Sequence, residues 1–162
     1  MSRSLKLLHV LGVACILGSI GTYVVASRVV SPDDLAGLAT VRRLIRYGTL
    51  WITVPGLWLA LGSGALRART YRQWPAWLRA KLLLSLITLL NTHALIVPAT
   101  ARALEAAQRS AAAGVLDATY RSAYLTESLA GAVNLLLFLS ITALAIFRPG
   151  HSRIATAQRS PA

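Results

Sequence analysis

The sequence predicts an all-α, polytopic membrane protein: an antiparallel bundle of four transmembrane helices with no soluble domain of its own. Three observations carry this reading. Of the 162 residues, 56% are hydrophobic and only 14% charged, where a water-facing surface needs roughly 25% charged residues. The apolar residues form long blocks instead of alternating with polar ones. Each block is close to the ~20 residues that cross a hydrocarbon core as a helix.

The net charge of +12 would point to nucleic acid in a soluble protein, but no nucleic-acid motif accompanies it. The bases lie in short stretches between the apolar blocks, where they hold loops against anionic head groups. Nucleic acid is therefore excluded as a partner, and lipid takes its place.

The first span is expected from Leu5 to Val25, after Arg3 and Lys6 and before Arg28. Its apolar run exceeds the ~7–15 residues of a signal peptide, so it reads as an uncleaved helix. Gly12, Ala14, Gly18 and Gly21 would let a neighbour approach closely. Ser31-Pro32-Asp33-Asp34 reads as a turn and helix start, because proline suits a first turn and carboxylates favour its positive end.

The second span is expected from Leu44 to Leu66, bent or loosened at Pro55-Gly56 and ending in Gly62-Ser63-Gly64. Tyr71 and Trp74 in the following basic loop suit the membrane–water interface. The third span runs from about Trp77 to Ala101, with Lys81 at its start, Asn91, Thr92 and His93 in its middle and Pro98 near its end. From Arg102 to Glu127 the chain is alanine-rich, broken at Gly114, and extends helices three and four beyond the bilayer. The fourth span is expected from Leu129 to Phe147. Residues 1–150 then form the membrane domain and residues 151–162 a disordered polar tail.

Four spans place both termini and the second loop on one side. That side carries ten of the 17 Lys and Arg, the other seven. The bias orients both termini to the cytoplasmic side of an inner or plasma membrane.

Ionisable groups within hydrocarbon mark functional sites by default, and His9, Lys81 and His93 qualify. At ~1.5 Å per residue, His9 lies roughly 6 Å inside the cytoplasmic boundary and His93 about 16 Å, with Lys81 at the boundary. His9 and Lys81 thus pair in depth, beside Gly62, Ser63 and Gly64, which leave room for a planar group. His93 shares its level with Asn134, the expected partner on an inward face, with Asn91 on another. No carboxylate lies at membrane depth, and no Ser/His/Asp set, phosphate loop or HExxH motif occurs. Copper would call on His9, His93, Cys15 or Met1, but one Met and one Cys are few soft ligands for Cu(I).

Leu5-Lys6-Leu7-Leu8-His9-Val10-Leu11-Gly12, then Trp77-Leu78-Arg79-Ala80-Lys81-Leu82-Leu83-Leu84 with His93 beyond, and finally Phe147-Arg148-Pro149 resemble a superfamily of small bacterial membrane proteins. It includes the CopD copper-resistance domain and HemJ-type protoporphyrinogen oxidases. Thr53-Val54-Pro55-Gly56 and Leu61-Gly62-Ser63-Gly64 look most like an uncharacterised integral-membrane branch. The resemblance implies haem b as cofactor and a haem-binding or porphyrin-linked redox function. It assigns the catalytic pair to His9 and Lys81, with His9 as metal ligand and Gly62, Gly64 and His93 around the cofactor. After the histidine, Val13-Ala14-Cys15-Ile16-Leu17 replaces the aromatic-rich stretch of those enzymes. Whether the chain is an enzyme stays open, as do a CopD-like copper-handling role, a non-catalytic membrane subunit or scaffold, and a homo-oligomer.

Overall fold

The computed structural model describes residues 3–31 and 33–147. Four long helices account for nearly all of them: α1 (Arg3–Val29), α2 (Leu35–Ala68), α3 (Ala76–Ala113) and α4 (Tyr120–Phe147). All four are long and apolar enough to cross a membrane, and they alternate in direction as an antiparallel bundle. The expected tail from His151 onward, with Arg148-Pro149, lies outside the described residues.

The helix ends follow from local chemistry. Asp34 caps α2, its side chain accepting from the Gly37 N–H at 2.8 Å and so satisfying one of the first-turn donors. α3 stops at Gly114, whose φ of 69° is the left-handed conformation that glycine adopts without a Cβ penalty. The turn after it is held by Arg109, whose Nε donates to Asp117 at 2.7 Å, and by the Asp117 N–H, which donates to Ser110 Oγ at 2.9 Å. Hydrogen bonds from Arg109 and Thr119 hold the Asp117 carboxyl well below the usual carboxylate range.

The prolines loosen their helices in one defined way. Each follows a wide turn, Thr49–Thr53 before Pro55 and Thr92–Ile96 before Pro98, closed by Val54 N–H to Thr49 O and Val97 N–H to Thr92 O. A helical proline has no N–H, and its ring would strike the carbonyl four residues back; a five-residue turn gives that carbonyl room. Thr-x4-Val-Pro thus occurs twice, at 49–55 and 92–98, as a local repeat.

Packing changes partner along α2. Its second half lies on α1, where Gly12 and Gly56 cross. A Cβ on Gly12 would stand 2.6 Å from Gly56 O, and one on Gly56 2.8 Å from Cys15 Cβ. Of the small residues expected to admit a neighbour, Gly12 makes the contact, whereas Gly18 and Gly21 face open space. Ile16, Leu57 and Ala60 form the core beside this crossing.

The first half of α2 instead packs on the second half of α3. There Ala99, Ala103, Ala106 and Ala107 are fully buried, small residues at helical spacing that bring two backbones close. Arg42 of α2, 3% exposed, ties this end to α4. Its Nε donates to Tyr120 Oη at 2.8 Å, its Nη1 pairs with Glu127 at 3.1 Å, and the guanidinium lies over the Tyr124 ring, 4.9 Å from its centroid. The first half of α3 meets α4 through amides: Asn91 Nδ2 donates to Asn134 Oδ1 at 2.7 Å and to Ala130 O at 2.9 Å, and Asn134 Nδ2 donates to Thr92 Oγ1 at 2.8 Å.

Candidate functional site

At the end of the bundle that holds the start of α1 and the α2–α3 turn, the helices leave a cavity of about 620 Å³. That volume lies in the ~300–1,000 Å³ range of ligand pockets. Its walls are mostly apolar, among them Val13, Leu78, Leu82, Phe138 and Ile141, and its ionisable lining residues are His9, Lys81, Arg67 and Tyr71. Lys81 and His9, placed together by depth alone, line the same cavity.

His9 projects from α1 onto α2. Its Nδ1 lies 2.9 Å from Ala60 O and 3.1 Å from Ser63 Oγ. A carbonyl only accepts, so Nδ1 carries the proton and donates, and the Ser63 hydroxyl turns its own proton to Leu59 O at 2.6 Å. In the neutral ring the lone pair is then on Nε2. An imidazole whose Nδ1–H is spent on a backbone carbonyl is oriented and made more basic as an Nε2 ligand. Gly64 closes against the same ring, since a Cβ there would meet His9 Cε1 at 3.9 Å.

Two of the residues expected around a cofactor stand elsewhere. Gly62 faces outward, with nothing within 4 Å of where its Cβ would be. Three consecutive helical residues sweep about 200°, so Gly62, Ser63 and Gly64 share a depth but not a face. His93 is also on the outside of the bundle. It does not meet Asn134; its Nδ1 donates to Leu89 O of its own helix at 3.0 Å, and its ring stands edge-on to Trp58, 5.8 Å between centroids. Back-bonding to Leu89 O gives this outward imidazole a partner within its own helix. The inward polar group at this level is Asn91.

The copper candidates are likewise dispersed. Cys15 packs against Gly56, His93 is exposed, Met1 lies outside the described residues, and no group of three His, Cys, Asp or Glu close enough for a metal occurs among the described residues.

A second cavity, about 350 Å³, occupies the opposite half. It is lined by hydroxyls of Tyr23, Thr49, Thr53 and Tyr124 and by Glu127 and Asn134; Ile16 and Phe138 border both cavities. The residues around His9 have three properties that a haem site needs: an oriented imidazole whose Nε2 carries the lone pair, an apolar chamber, and cationic side chains for carboxylates. Arg67 is the member that sequence reasoning missed. Its place one helical turn from Ser63 and Gly64 was the available signal.

Fold and site together define a polytopic four-helix integral membrane protein with an internal cavity presenting one oriented histidine. The chain belongs to the DUF2269 family of predicted integral membrane proteins, whose model matches residues 3–149. No match was found among curated proteins or among solved structures.

Proposed function

We propose that this protein binds haem b, or a closely related porphyrin, in the 620 Å³ cavity, in a bacterial inner membrane with both termini cytoplasmic. The carrying observation is His9: its Nδ1–H is committed to Ala60 O at 2.9 Å, which leaves Nε2 as an iron ligand. Lys81 and Arg67, on the same wall system, would take the propionate carboxylates. The excess of Lys and Arg in the segments that four spans assign to the side of both termini, ten against seven, supports the orientation. The resemblance to HemJ-type proteins, with their helix-one histidine and helix-three lysine, supports the cofactor. When bound, haem supplies one-electron redox chemistry. The protein contributes ligation, carboxylate binding and an apolar chamber that excludes water. The dispersion of His93 and Cys15 favours this reading over copper handling.

Haemin titration of the purified protein in detergent, followed by visible spectroscopy, tests it. Wild type should develop a saturable Soret band that shifts on reduction, and His9→Ala, with unchanged circular dichroism, should lose it. A wild-type protein that yields only the spectrum of free haemin in detergent overturns the proposal.

A further inference from the structure

Exposed hydroxyls on the surface of this bundle close within their own helices at several positions: those of Thr22 and Ser140 donate to the carbonyls four residues back, each at 2.9 Å. The touching side chains of Trp58 and His93 each leave a polar atom outside such a bond. His93 donates through Nδ1 to Leu89 O, so the neutral ring turns an accepting Nε2 outward. Trp58 is 54% exposed, and its indole N–H has no hydrogen-bond acceptor among the described residues. By helix rise His93 lies about 16 Å and Trp58 about 12 Å from the cytoplasmic boundary, within the hydrocarbon, where lipid tails offer neither donor nor acceptor.

We propose that this α2–α3 surface is the interface of a homodimer, in which each Trp58 Nε1–H donates to the His93 Nε2 of the other copy. The two rings touch edge-on at 5.8 Å, so one patch presents a donor and an acceptor side by side. A twofold axis along the membrane normal preserves depth and exchanges the copies. It therefore brings donor onto acceptor twice, as an isologous interface requires. Lipid cannot do this, and an unrelated subunit would need its own matched pair. Leu86 and Leu90, 51% and 58% exposed, flank the patch on α3 and supply apolar contact around the two bonds. Burying them against a second copy removes both open polar groups from hydrocarbon.

The experiment is subunit counting by single-molecule photobleaching in liposomes across protein density, with cysteine crosslinking in a Cys15→Ser background. Wild type should show a density-dependent dimer. Leu90→Cys should crosslink, and Leu136→Cys, on the lipid face of α4, should not. Trp58→Phe and His93→Phe should each weaken dimerisation about tenfold, from two interhelical bonds of ~0.6 kcal/mol or more. The double variant should be no weaker than either single one, because each change removes the same bonds. A wild type monomeric at every density, crosslinking through Leu136→Cys as readily as Leu90→Cys, or additive losses in the double variant would each overturn the proposal.

Discussion

The imidazole of His9 crosses from α1 to α2 and sets its Nδ1 2.9 Å from the carbonyl oxygen of Ala60. That contact joins two helices, selects a ring tautomer and determines which nitrogen is left for a ligand. A carbonyl within a helix cannot move aside, so the orientation survives changes to nearby side chains.

Ser63, the second acceptor at 3.1 Å, should therefore be dispensable. Ser63→Ala is expected to weaken haemin binding by no more than about fivefold, the equivalent of one ordinary hydrogen bond of ~1 kcal/mol. Soret titrations of Ser63→Ala and His9→Ala side by side measure this. If both variants lose binding completely, the hydroxyl and not the carbonyl orients the ring.

Gly12 should be the least replaceable glycine of α1. A methyl there would meet backbone atoms at 2.6 and 2.7 Å, so α1 must move off α2. Gly12→Ala is expected to cost about 1–3 kcal/mol, the usual range for overpacking. Gly18→Ala and Gly21→Ala meet nothing within 4 Å and should melt like wild type. Thermal denaturation in one detergent compares the three, and equal melting temperatures would contradict the close crossing.

At the far end, removing one member of the Arg42–Glu127 pair should be worse than removing both. Arg42 is 3% exposed and the Glu127 side chain 15%, so Arg42→Ala leaves a shielded carboxylate without its cation. The expected loss is about 3–5 kcal/mol, whereas Arg42→Met with Glu127→Leu should recover most of it. Denaturation of both variants decides. A single variant as stable as the double would mean that the pair is solvated and contributes little.

Four helices long and apolar enough to cross a membrane were legible in the chain, because the length of an apolar run is a one-dimensional quantity. The start of α2 at Asp34, the stop at Gly114 and the loosened helix at Pro55 were legible for a similar reason. Each rests on the backbone chemistry of one or two residues. The shared cavity of His9 and Lys81 was also within reach, since antiparallel helices entering from one side bring equal depths together.

Rotation about each helix axis was not. Depth put His93, Asn91 and Asn134 on one level, but a single residue step turns a side chain by about 100°. The expected inward His93 is in fact outward, and Asn91 takes the place against Asn134. Gly62 failed in the same way beside Ser63 and Gly64. In a soluble protein the burial of apolar residues would have chosen the face, but here lipid accepts leucine as readily as the core does. The hydrophobic pattern therefore leaves the angle free. It is set by features that exist only once helices meet: the Gly12–Gly56 crossing, the alanine seam of α3, and the hydrogen bonds among Asn91, Asn134 and Thr92. The sequence by itself determined how many helices cross and which groups lie level. The tertiary structure alone decided which of those level groups face one another, because helix rotation is fixed by packing and hydrogen bonding between helices.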